Sequence, residues 1–205
     1  MNNAVKQPNP WFAMWLKPRE TIQSIVNRNP THLVIPLAIA VGISKSLDRA
    51  SIKSLGDSFE LPTLLAFCVV AGILFGIAGL YIFSYLLKIT GNWFGGQSNL
   101  VNIRSALAWS SVPTVWALLL WVPQLIIFGK DLFTSSAPRI AEFPYVYFGF
   151  VTIESLIAIW GLVVFCKALG QVQKFSVWLA FVSVVLSMLT ITLPLLLLTY
   201  LLVSI

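Results

Sequence analysis

Residues 61–87 read LPTLLAFCVVAGILFGIAGLYIFSYLL, 27 consecutive positions without a charge before Lys88. As a helix this stretch reaches about 40 Å, more than the ~30 Å hydrocarbon core of a bilayer. Working outward, residues 105–129 are uncharged between Arg104 and Lys130, residues 143–166 hold Glu154 alone, and residues 175–205 hold no charge. Each of the four segments predicts a membrane helix. The whole chain agrees: 10% of its residues are charged and 58% hydrophobic, and the mean hydropathy is +0.89. A soluble domain carries about 25% charged residues. This composition excludes a soluble globular domain, a disordered chain and a disulfide-rich secreted module.

A fifth span is shorter. Residues 29–44 are uncharged, but the dense apolar part covers only 33–43. Eleven residues reach roughly 16 Å, about half the membrane core. Extension through residues 45–50 restores the length and places Lys45, Asp48 and Arg49 at i, i+3 and i+4, where they pair or snorkel. A full but short span is the favoured reading, and a re-entrant hairpin is the alternative. The expected fold is therefore all-α: a polytopic bundle of five transmembrane helices over residues 31–205. A cytoplasmic tail with an amphipathic interfacial helix precedes it over residues 1–30. The loops 45–60, 88–104, 129–145 and 167–174 are too short to be separate domains.

With five spans, the tail and loops 88–104 and 167–174 share one side, carrying eight basic residues and Glu20 as the one acid. The opposite side has five basic and five acidic residues. The excess of Lys and Arg places the N-terminus in the cytoplasm and the C-terminus outside. The net charge of +6 is thus read as membrane orientation, and nucleic acid is not an expected partner. Ala38-Ile39-Ala40 imitates a signal-peptide cleavage site. The apolar run before it is too short and Pro36 interrupts it, so cleavage is not expected.

In residues 9–28, Asn9 is a candidate N-cap with Pro10 at the first helical position, and Pro18 ends that helix or starts another. Trp15, Ile22 and Val26 fall on one face, with Lys17, Arg19 and Arg28 as a polar rim. Aromatic anchors beside cations suit a membrane surface. Trp11, Trp15, Lys17 and Arg19 are the candidate docking residues, and the plainer reading is a passive brace for the first span.

Glu154 is the one acid inside a long apolar segment. A charge near the membrane centre costs about 2.5–3.5 kcal/mol on insertion scales. Glu154 is therefore expected to face the bundle, be protonated, or bond to a neighbour such as Ser110, Ser111, Thr114 or the Ser183/Ser187/Thr190 face. It is either a proton, ion or substrate site or a neutral carboxylic acid joining helices. Cys68, Gly72, Gly76 and Gly79 form a small-residue stripe that lets helices approach closely, within the chain or between copies. Pro36, Pro113, Pro123 and Pro194 suggest kinks or helix ends.

No catalytic set is visible. His32, the single histidine, lacks the spacing of a zinc enzyme, and no GxSxG, Walker loop or dinucleotide fingerprint occurs. Cys68 and Cys166 lie in apolar runs and read as buried packing residues. An enzyme, a metal site and a cofactor are not expected.

Three segments together resemble a known family. They are Asn9-Pro10-Trp11 with residues 16–22 (LKPRETI); Gly95-Gly96-Gln97-Ser98-Asn99 through residues 104–113 (RSALAWSSVP); and Ile159-Trp160 with residues 168–176 (ALGQVQKFS). Their order among five hydrophobic blocks resembles the bacterial branch of the Yip (Ypt/Rab-interacting protein) family over nearly the whole chain. The resemblance implies five membrane helices with a cytoplasmic N-terminus. Eukaryotic members act in vesicle traffic, bind Rab GTPases and associate with one another. The acidic cytoplasmic domain and Asp-Leu-Tyr-Gly-Pro signature of those members are missing here, so Rab binding is not expected. The leading expectation is a non-enzymatic accessory or scaffold protein of the bacterial cytoplasmic membrane. It would bind other integral membrane proteins or itself through the glycine stripe and the N-terminal helix. The alternatives are a small transporter or channel built around Glu154, and membrane shaping by the Trp-rich helix.

Overall fold

A computed structural model describes residues 9–203. Every regular element among them is helical. Two short helices open the chain, α1 (Pro10–Leu16) and α2 (Pro18–Arg28). The Asn9 carboxamide accepts the Trp11 N–H at 3.1 Å, so the expected N-cap forms. Pro18 occupies the first position of α2, where its missing N–H costs nothing. Next come α3 (Val34–Ile52), α4 (Leu61–Trp93), α5 (Leu100–Ser110), α6 (Val112–Leu118), α7 (Trp121–Phe128), α8 (Pro138–Glu142), α9 (Pro144–Gln173) and α10 (Val177–Val203).

Four stretches are long and apolar enough to cross a membrane: Leu61–Trp93, Leu100–Phe133, Pro144–Gln173 and Val177–Pro194. They coincide with the four long apolar segments of the sequence, three of them uncharged and one holding Glu154. The second stretch is broken rather than continuous. Ser111 interrupts it, its N–H turning back to the Ala108 carbonyl at 3.2 Å, and Pro113 starts the next helix. A second break at residues 119–120 precedes α7. Pro123, expected at a kink or a helix end, sits in the first turn of α7, where a missing N–H is tolerated. α4 runs six residues past Leu87, so the expected loop 88–104 begins as helix.

The chain divides into two compact units, and the division falls within α4, α5 and α9. One comprises the described parts of Met1–His32, Tyr81–Leu107 and Val164–Ile205. In it α2 buries Ile22 and Ile25, α1 buries Met14, and Trp15 and Val26 are half-buried. Ile22 of the expected face is thus buried, whereas Met14 and Ile25 are more buried than the expected Trp15 and Val26. Lys17 and Arg19 are exposed, and Lys17 pairs with Glu20 at 3.6 Å. Thr90 of α4 meets Ser183 and Ser187 of α10 at 2.7 and 2.8 Å through buried hydroxyls. Arg104 lies 4.3 Å over the Tyr81 ring.

The other unit is Leu33–Leu80 with Ala108–Val163. Its core packs Leu47, Ala50, Leu64 and Cys68 against Trp121, Phe128, Leu132 and Phe133. Trp121 stacks on Phe133 at 5.7 Å, and Phe128 meets Tyr147 edge-on. The Ser51 hydroxyl donates to the Leu132 carbonyl at 2.6 Å, and the Ser135 N–H donates to the Asp57 carboxylate at 3.1 Å. These bonds fasten the last turn of α3 and the segment after it to the turn after α7. Lys45 pairs with Asp48 at 2.9 Å on α3, one turn apart as expected.

Candidate functional site

Glu154 lies ten residues into the 30-residue α9, about 15 Å along a helix of roughly 45 Å. Its Oε1 accepts a 2.6 Å hydrogen bond from the Gln124 side-chain amide of α7. Gln124 is 4% exposed. A buried carboxamide has to find a partner, and the two helix breaks set α7 in the register that aims Gln124 at α9.

Glu154 also lines a cleft of about 240 Å³. α3 contributes Ser44, Lys45 and Asp48, α6 contributes Thr114, and α7 contributes Trp121. Ser155 joins Glu154 from α9, its hydroxyl donating to the Val151 carbonyl at 2.7 Å and so turning lone pairs outward. Ser44 is 5% exposed and its hydroxyl has no hydrogen-bond partner among the described residues. With Lys45 seated on Asp48, Glu154 is the carboxylate on the cleft without a cationic neighbour bonded to it. The lining therefore offers acceptors in excess of donors. Among the described residues no group of three His, Cys, Asp or Glu side chains could hold a metal ion.

Of the expected partners of Glu154, Thr114 shares the cleft, whereas Ser110 and Ser111 are not among its lining residues. Ser111 turns its hydroxyl back to the Ala108 carbonyl at 2.5 Å, and Ser183 and Ser187 are engaged with Thr90. The sequence reading missed Gln124, although it is the one carboxamide in the uncharged run 105–129.

The glycine stripe divides. A Cβ on Gly72 would meet the Ile43 backbone at 2.6 Å, and one on Gly76 would meet the Ala38 carbonyl. A Cβ on Gly42 of α3 would in turn meet Gly76 Cα at 2.6 Å. These glycines let α3 and α4 touch along their backbones. Gly79 has nothing within 4 Å of the same position, and it is exposed.

Parts of all three motif segments fall in the first unit, while residues 108–113 and 159–160 belong to the other. The Gln97 N–H donates to the Gln173 carbonyl at 3.3 Å, and the fully buried Gln173 side chain donates to the Leu87 carbonyl at 3.1 Å. A Cβ on Gly91 or Gly96 would collide with that side chain. The Gln171 amide reaches Gln23 of α2 at 3.0 Å, tying the N-terminal helices to the end of α9.

No curated protein and no solved structure matches the chain. A family model described as the Yip1 domain matches residues 12–199, nearly the whole length. With its four apolar membrane-length helices, the chain belongs to the Yip1 domain family of multi-pass membrane proteins.

Proposed function

We propose that the protein is a non-enzymatic accessory component of the bacterial cytoplasmic membrane that binds another membrane protein or a second copy of itself. The observation carrying this reading is Gly79. It lies in the same stripe as Gly72 and Gly76, yet none of the described residues comes within 4 Å of a Cβ placed there. Small residues drive helix association in lipid by allowing close backbone contact. The uncovered end of the stripe, beside the exposed Phe75 and Ile82, is where a partner helix would dock. α1 and α2, with Trp11, Trp15, Lys17 and Arg19, would lie against the cytoplasmic headgroups. Purification in mild detergent tests the reading. A stoichiometric membrane partner, or a dimer, that is lost in Gly79→Leu supports it.

α3 supplies the fifth span in this reading. Nineteen helical residues reach about 28 Å, and Lys45 and Asp48 neutralise one another within it. The N-terminus is then cytoplasmic and the C-terminus outside. A reporter fused after Ile205 that is active only in the cytoplasm would contradict this topology.

A second reading, a transporter or channel, is favoured by the cleft that joins Glu154 to Lys45 and Asp48. A pH-dependent flux into liposomes that disappears in Glu154→Gln would establish it in place of the first.

A further inference from the structure

We infer that the cleft between α3, α6/α7 and α9 binds a small primary ammonium group, carried by a free amine or by an aminophospholipid headgroup. The inference rests on the geometry of the cleft and requires neither partner binding nor transport.

Three observations converge on that ligand. The Glu154 carboxylate has one oxygen bonded to Gln124, which fixes its orientation and leaves the other oxygen as an acceptor on the cleft. Ser44 is buried, lines the same cleft, and has no partner among the described residues. That hydroxyl is available to a ligand in the cleft. Ser155 has spent its proton on Val151 and accepts. A carboxylate oxygen and two hydroxyls match the three N–H donors of a primary ammonium, and the ring of Trp121 on the same lining favours a cation.

Charge selects against other ligands. Lys45 compensates Asp48, so with Glu154 ionised the lining carries one net negative charge, which suits a monocation and repels an anion. A divalent metal requires more oxygen ligands than one free carboxylate and hydroxyls supply. The mixture of an aromatic wall with a few convergent polar groups is that of a small-molecule site.

Thermal unfolding of the full chain tests the assignment. Cys68 and Cys166 are free and buried, so a thiol-reactive dye reports their exposure on unfolding. In phosphatidylglycerol nanodiscs at neutral pH, ethanolamine should raise the midpoint saturably, by roughly 2–4 °C at several times its dissociation constant. Sodium chloride at the same concentration should not. A parallel series replaces part of the phosphatidylglycerol by phosphatidylethanolamine. A shift there without one from soluble ethanolamine assigns the ammonium to the lipid. A shift with soluble ethanolamine assigns it to a free amine. Glu154→Gln should abolish either shift, and Ser44→Ala, a conservative change if the first variant fails to fold, should at least halve it. No shift from either source in the wild type, or an undiminished shift in a folded variant, would overturn the inference.

Discussion

Gln124 and Glu154, thirty residues apart, are joined by a 2.6 Å hydrogen bond that links α7 to α9. The bond is charge-assisted when Glu154 is ionised. It gives the acid inside α9 a defined partner from the neighbouring helix, which a charge near the membrane centre requires. It also holds one edge of the cleft in place.

Removing the amide leaves the carboxyl group without that partner. Gln124→Leu should lower stability by about 1–2 kcal/mol, and a double-mutant cycle with Glu154→Leu should give a coupling of about 0.6–1.7 kcal/mol. Chemical or thermal unfolding in detergent measures it. Strict additivity of the two changes would mean that the bond contributes nothing.

The glycines separate packing inside the chain from surface left open. Gly76→Val forces a side chain against the Ala38 carbonyl and should cost about 1–3 kcal/mol or more. For a chain of this size that lowers the unfolding midpoint by about 2–4 °C per kcal/mol. Gly79→Ala meets nothing within 4 Å and should be neutral, or stabilising by up to about 1 kcal/mol through helix propensity. Equal losses from the two variants would show that Gly79 is covered.

Thr90 is the hub of the hydroxyl cluster, because Ser183 and Ser187 both contact its Oγ1. Thr90→Val keeps the shape and deletes both contacts together with the Thr90 bonds to the Leu86 and Ser183 carbonyls, whereas Ser187→Ala deletes one of them and its own bond to the Ser183 carbonyl. The first should cost about 1 kcal/mol and the second about half as much. A Ser187→Ala loss equal to or greater than that of Thr90→Val would remove Thr90 from the centre of the cluster.

Lipid makes part of this architecture readable from the sequence. A spanning helix needs some twenty apolar residues, so three uncharged runs and one holding only Glu154 identify four membrane-length helices. The Asn9-Pro10 and Pro18 signals were equally local and give α1 and α2 directly. α3 was harder to read, because half its length carries the Lys45–Asp48 pair rather than apolar residues. The breaks near Ser111 and residues 119–120 were not foreseen in detail. Their combined rotation decides which α7 residue faces Glu154, and no local pattern around Gln124 encodes that. Cleft membership depends likewise on three segments distant in the chain. The pairing of Gln173 with Gly96 gives a steric reason for part of the family resemblance: a Cβ at Gly96 would force the large buried amide to shift.

Copurification decides whether the uncovered end of the glycine stripe serves a partner. The wild-type chain, extracted in mild detergent and crosslinked before solubilisation, should carry one stoichiometric membrane protein or a second copy of itself. Gly79→Leu should lose it, while Glu154→Gln should retain it. Elution of the crosslinked wild-type chain as a lone monomer, or retention of the partner by a folded Gly79→Leu variant, would contradict the accessory reading.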